Sequence, residues 1–382
     1  MTCSIKLASR IIVTLSAVAA FSQAEPAVSS SPVAFVYVSS NPSGNGYQIN
    51  AFAANTDGHL TQVAGSPFLA DVQNMALNGK YLFGSNGVDI YSFSIASDGA
   101  LQEVGSVNAQ QFNGGNCGGP FALFLDHTGA SLYDEDIYGN SCANNSYQSF
   151  KIDGSTGELN YLGMTSEASP EFNVGLSFIG NNVYAYGSSC YHFSPSIFGF
   201  QRSSDGTLSW LDINPSMPVA KNGDFYCPYL TAEDPTNHLA ISVQQFTGNW
   251  DLDGPAQLAT YTADASGNLT TTSTYSTMPT TAVQAVTDIW MSPWGGLLAV
   301  AGTGGLQVFH FNGSNPITHY TALLTRDEVD QLFWDNDNHL YAISRSAGKL
   351  FVFTITPTKV SQAPGSPYGI TNPQNIIVLP KI

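Results

Sequence analysis

The stretch His339–Pro367, HLYAISRSAGKLFVFTITPTKVSQAPGSP, decides the fold. It reads as three short strands, Leu340–Ser344, Lys349–Thr356 and Lys359–Ala363, with breaks at Arg345–Gly348 and Pro357–Thr358. Alternating aromatic and β-branched residues between Gly, Pro and Ser breaks predict a β-meander. Residues 35–67, FVYVSSNPSGNGYQINAFAANTDGHLTQVAGSP, carry nearly the same pattern. The two stretches also share an ending, Gly65-Ser66-Pro67-Phe68 and Gly365-Ser366-Pro367-Tyr368. A self-similar unit at both ends predicts a repeat architecture.

Working inward, the unit recurs seven times, each with up to four strands, a to d from the inside outward. The a strands fall at Val72–Leu77, Phe121–Leu125, Val174–Ile179, Pro228–Ala232, Ala285–Met291 and Val329–Trp334. The first unit has b, c and d strands (Phe35–Ser39, Gly46–Ala53, Leu60–Ala64) and lacks an a strand. One strand is left over at the other end, Asn375–Leu379. The prediction is an all-β, seven-bladed β-propeller whose ring is closed by the C-terminal strand completing the N-terminal blade. Closure removes the exposed sheet edge. Asp57-Gly58, Asp98-Gly99, Asp205-Gly206 and Ser266-Gly267 each stand between a c and a d strand, where tight hairpins need positive φ. A period of roughly 50 residues suits propeller blades.

Lys6 and Arg10, the apolar run Ile11–Phe21 and the small residues of Ser22-Gln23-Ala24 read as a secretory signal peptide over residues 1–24. Cys3 precedes the apolar run and is not placed for lipid attachment. A linker at 25–33 and one propeller domain over 34–382 follow. The formal net charge is −17, and loss of Lys6 and Arg10 makes it −19. Such a surface excludes nucleic acid and anionic membranes as partners. Charged residues make up 10% of the chain, against roughly 25% in ordinary globular proteins, which fits secreted or periplasmic β structure. No later run is long enough to insert in a membrane. Four cysteines follow the leader and predict two disulfides in one of three connectivities, of which Cys117–Cys142 with Cys190–Cys227 is preferred because each joins near neighbours in the repeat map.

With the blades laid out, the chain resembles the seven-bladed lactonase-type propellers. These are the 6-phosphogluconolactonase-like proteins with YVTN-type repeats and the fungal muconate-lactonising enzymes. The resemblance rests on Tyr81-Leu82-Phe83-Gly84 and His339-Leu340-Tyr341-Ala342, on the turn Asp57–Thr61, and on Ala64–Phe68. It covers essentially the whole chain after the leader. It implies a lactone substrate acted on by His, Arg and Glu side chains around a central channel. No motif carries those positions over one by one. This sequence departs from the expected pattern in having three arginines after the leader, Arg202, Arg326 and Arg345. Few cations and an export signal together imply an unphosphorylated ligand.

In the architecture, the d–a and b–c loops share the face around the channel mouth. His59, His127, His238 and His339 map to the opposite face, and His310 and His319 to outer strands. His192 alone maps to the mouth. Catalytic candidates are therefore Asp288, Asp330, Arg345 and His192. An acid beside an arginine can position a water and polarise a lactone carbonyl; the same pair can equally serve to order the loops. Asn74, Asn173 and Asn375 occupy similar places in three units and, with Arg326, are candidate ligand-binding residues. Asp134-Glu135-Asp136 and Asp251-Leu252-Asp253-Gly254 are read as solvated loops, with no metal site and no cofactor. Long loops at 106–119, 136–146, 187–195, 214–227 and 245–256 build up one side of the mouth, where binding usually resides. The expectation is a monomer that binds a sugar-derived or other lactone, with hydrolysis of it left open. The alternative is a non-catalytic propeller holding a partner protein or surface glycan through its stapled loops.

Overall fold

The computed structural model describes residues 31–44, 46–113, 118–137, 146–166, 175–191, 194–221 and 223–381. The leader expected at 1–24 lies outside them, as do Cys117, Cys142, Asn173 and His192. Residues Pro32–Ile382 form one compact unit of seven antiparallel sheets. Blade 1 is made of Pro373–Pro380 (a), Ala34–Ser40 (b), Gln48–Ala54 (c) and Leu60–Gln62 (d). Its a strand is the last strand of the chain, and Phe35 pairs with Leu379 and Ser39 with Asn375. The ring is closed as the leftover strand predicts. Ile376, Ile377, Val378 and Leu379 are all buried there.

The remaining blades follow in chain order, each with a to d strands. Blade 2 is Asn74–Leu77, Tyr81–Ser85, Asp89–Ile95 and Leu101–Asn108; blade 3 is Gly118–Leu125, Ser131–Ile137, Ser146–Ile152 and Leu159–Ser166. Blade 4 is Ser177–Phe178, Tyr184–Tyr191, Ser194–Arg202 and Leu208–Leu211; blade 5 is Phe225–Glu233, His238–Phe246, Gln257–Ala263 and Leu269–Thr270. Blade 6 is Val286–Met291, Leu297–Gly302, Gly305–Asn312 and Asn315–His319; blade 7 is Gln331–Trp334, His339–Ser344, Lys349–Thr356 and Lys359–Gln362.

The core lies between blades, because each sheet buries both faces. Tyr37, Tyr133 and Tyr186 occupy matching places on b strands and reach into the next blade, where each hydroxyl donates to the carbonyl of Gly99, Gly206 or Gly267. These are glycines of the c–d turns. They have positive φ, and they also lie against the preceding blade: a Cβ on Gly99 would stand 2.5 Å from the Phe35 ring. We expect Gly99→Ala to cost about 2–4 kcal/mol, combining left-handed backbone strain with overpacking, measured by denaturant unfolding. A loss below about 0.5 kcal/mol would mean that the turn and Phe35 yield freely.

Three features differ from expectation. The shared Gly-Ser-Pro-aromatic endings form short fifth strands, Phe68–Leu69 on blade 1 and Tyr368–Gly369 on blade 7, each paired with the c strand on the edge that d also uses. Ser66 and Ser366 Oγ accept from Ala51 N and Val352 N, and Gln62 and Gln362 donate to the Ser66 and Ser366 carbonyls. Loop 187–195 is strand at Gly187–Tyr191 and again from Ser194, and loop 245–256 begins as strand to Phe246, so blades 4 and 5 carry tall hairpins. Asp134-Glu135-Asp136 is not a solvated loop. It lies within the b strand of blade 3, and all three side chains are buried. Asp251 is exposed, in keeping with its reading as part of a solvated loop.

Candidate functional site: the channel mouth

The a strands line the centre of the ring, and their first residues form its mouth. At matching levels stand Asp288 (opposite Ala301), Gln331 (opposite Ile343), Asn375 (opposite Ser39) and Asn74 (opposite Ser85). They form a relay between blades. Asp288 Oδ2 accepts from Leu332 N at 2.9 Å, Gln331 Oε1 from Ile376 N at 3.2 Å, and Asn375 Oδ1 from Met75 N at 3.1 Å. Each acceptor thus satisfies the residue after its counterpart in the next blade. Asn375 also donates to Gln331 Oε1. Asp288 Oδ1 accepts from Ile289 N.

Asp288 keeps a little accessible surface, yet protein atoms surround it closely. Desolvation, partly offset by the Leu332 and Ile289 amides, raises its pKa to about 7. A carboxyl that is half ionised near neutrality can exchange a proton with a channel water. Below it on the same strand, the exposed Trp290 ring leans on Phe333 with centroids 4.4 Å apart. Glu233, on the a strand of blade 5, is also pushed to about 7, chiefly by burial.

Asp330 and Arg345 do meet, through backbone: Asp330 Oδ2 accepts from Arg345 N at 2.6 Å. The Arg345 guanidinium is directed to the start of the closing strand, with Nε and NH2 each 3.4 Å from the Pro373 and Gln374 carbonyls. Arg326 is exposed in the connection between blades 6 and 7. Asp288, Asp330, Arg326, Arg345 and Asn375 therefore belong to blades 6, 7 and 1, and Asn74 to blade 2. Of the expected disulfides, Cys190–Cys227 is formed, joining the b strand of blade 4 to the a strand of blade 5. Among the described residues, no three His, Cys, Asp or Glu side chains gather in a group able to hold a metal ion.

A cavity of about 440 Å³ opens between blades 5 and 6. Its wall includes Tyr229, Gln244, Phe246, Leu252, Gln284 and Val286, and no lining residue is charged. Tyr229 and Leu252 are 43% and 64% exposed, unusual for such side chains beside a cavity. Val286 places the cavity two residues from Asp288 along one strand. None of the candidate catalytic or ligand-binding residues named from sequence lines it. The signal available was the long 245–256 loop, which contributes Leu252, Gly254, Pro255 and Ala256.

No family model matches the chain, and no curated protein matches it by sequence. Solved structures do match in fold. A putative 6-phosphogluconolactonase from Bacteroides fragilis is 14% identical, with a TM-score of 0.61 over 93% of this chain and 99% of that one. The periplasmic gluconolactonase of Pseudomonas aeruginosa is 14% identical, with a TM-score of 0.63 over 90% and 98%. A putative 6-phosphogluconolactonase from Bacteroides uniformis is 13% identical, with a TM-score of 0.62 over 90% and 99%. The chain has the lactonase-type propeller fold. Each of these three matches covers 90% or more of both chains. Among the described residues no helix is long and apolar enough to cross a membrane.

Proposed function

We propose that this chain is an exported, lactonase-like propeller that binds a small uncharged lactone, sugar-derived or otherwise, at the channel mouth and opens it by hydrolysis. The carrying observation is the uncharged cavity of about 440 Å³ beside the strand that bears Asp288. A pocket of this size with an apolar wall and a few amide and hydroxyl groups suits a small neutral ring. Tyr229 supplies the phenol, and Gln244 and Gln284 the amides, while Asp288 is the base that would hold the attacking water. A phosphorylated ligand finds no cation on this wall. Export is supported by the signal-like leader, by the Cys190–Cys227 bond and by the fold shared with a periplasmic gluconolactonase.

The test is a panel of unphosphorylated lactones assayed by titrating released acid. Turnover should rise through pH 7, and Asp288→Asn should lower kcat at least 100-fold. Tyr229→Ala should weaken ligand binding about 10-fold with little change in melting temperature. Absence of turnover and of any ligand-induced thermal shift across the panel would defeat this reading. A second reading draws on the exposed Val219, Leu252 and Tyr275 on the stapled side of the ring. Binding on a glycan array without lactone turnover would favour it.

A further inference from the structure

Blade 3 buries a group of oxygens short of hydrogen donors. Asp134 stands opposite Gln148, and Asp136 opposite Ser146, in the b–c pair. Directly opposed residues, and residues two apart, share a face of the sheet. Leu132 and Phe150, on the same face, pack into the core formed with Tyr81, Phe83 and Phe93 of blade 2. Asp134, Asp136, Ser146 and Gln148 are therefore enclosed between blades 2 and 3, and none is more than 2% exposed.

Asp136 is satisfied. Its Oδ1 accepts from Asn113 Nδ2 at 3.1 Å and its Oδ2 from Gln148 Nε2 at 2.6 Å. Donation to Asp136 fixes the Gln148 amide and leaves its Oε1 without a donor. The Ser146 hydroxyl is also without a partner, and the Asp134 carboxylate oxygens have no well-formed hydrogen bond, only the weak approach of the Gln148 and Asp134 backbone amides. Among the described residues, no ion pair involves Asp134 or Asp136. Tyr161, stacked on Phe112 at 4.1 Å, lies close enough to feel both charges. Two buried carboxylates beside unpaired amide and hydroxyl oxygens are strongly unfavourable as they stand.

We propose that this group is a calcium site, with Asp134 and the Gln148 Oε1 as its protein ligands, Ser146 beside them and Asp136 held as the second anion. Every donor is a hard oxygen, with no nitrogen or sulfur, which selects calcium over zinc or copper. A divalent cation would neutralise both carboxylates and give every orphaned oxygen a partner. The site would pin blade 2 to blade 3 through Asn113, which belongs to their connection. This inference is independent of the lactone reading. The competing resolution is a proton: a protonated Asp134 donating to the Gln148 Oε1.

The test uses the full chain, stripped with chelator at pH 7.5. Adding 1 mM calcium should raise the melting temperature by about 4 °C for a dissociation constant near 10 µM, and equilibrium dialysis should find one calcium per chain. Magnesium should do less. Asp134→Asn should abolish the calcium response, and in chelator it should melt no lower than wild type, because its amide can donate to Gln148. Should that variant fail to fold, Ser146→Ala supplies the same test, with binding weakened about 10-fold. Asp251→Asn, in the exposed loop, should leave the response intact. A wild type indifferent to calcium, or a response that survives Asp134→Asn, would overturn the proposal and leave the proton as the resolution.

Discussion

A chain ending at Asn372 is expected to lose cooperative folding. The deleted segment is the innermost strand of blade 1, and it buries Ile376, Ile377, Val378 and Leu379. At about 1.5–3 kcal/mol for each buried aliphatic side chain, the loss is on the order of 6–12 kcal/mol. That is comparable with the whole stability of an ordinary domain, about 5–15 kcal/mol. The deletion also removes Asn375, whose side-chain Oδ1 accepts from Met75 N of blade 2, and leaves Gln331 of blade 7 without Ile376. Two blade junctions therefore weaken at once. It further bares the hydrogen-bonding edge of Ala34–Ser40, a strand buried along its whole length, and such edges recruit other chains. The truncated protein should elute as aggregate and melt without a sharp transition. Elution at the position of the full chain, with a melting temperature within about 5 °C, would show that closure by this strand is dispensable.

The features this experiment removes were legible because they are local or repetitive. Period-two alternation marks each strand, Asp-Gly and Ser-Gly pairs mark the c–d turns, and a strand without a blade can go only to a blade without a strand. What stayed hidden depends on partners far away in the chain. Asp288 links blades because Leu332 N lies beside it, 44 residues on, and nothing near Asp288 announces this. Phe68–Leu69 and Tyr368–Gly369 are two residues long and exist as strands through their pairing with Gln48–Ile49 and Lys349–Leu350. Asp134-Glu135-Asp136 looks like solvent-facing sequence by charge alone. Its burial comes from the neighbouring blade. The cavity joins residues 229, 242–256 and 284–286, so its wall is set by the packing of two blades rather than by one motif.

Stability should fall as pH rises from 5 to 8, the opposite of the trend produced by salt-bridged carboxylates. Asp288 and Glu233 are each raised to about 7 in the folded chain, mainly by burial, whereas unfolded carboxyls titrate near 4. Between those values the folded state holds more protons than the unfolded state. The slope of unfolding free energy with pH is then negative. The contribution is fully present below about pH 4, is lost as pH climbs through 7, and is flat above about 8. His127 opposes it: burial lowers its pKa, so its neutral form favours folding as pH rises through 6.5. With that offset, and with the partial exposure of both acids, a net loss on the order of 2–4 kcal/mol is expected, or about 3–5 °C in melting temperature. Calorimetry in chelator at pH 5, 6, 7 and 8 reads it directly. Self-repulsion of a chain with net charge −17 acts in the same direction, so the deciding comparison is the variant slope. Glu233→Gln, which removes the titration while keeping the shape, should flatten part of the decline, and Asp288→Asn should flatten more while lowering the whole curve, since an amide cannot accept from both Ile289 N and Leu332 N. A decline equally steep in both variants would assign it to net charge and to Asp134 and Asp136, which burial also raises, and leave Asp288 and Glu233 ordinary.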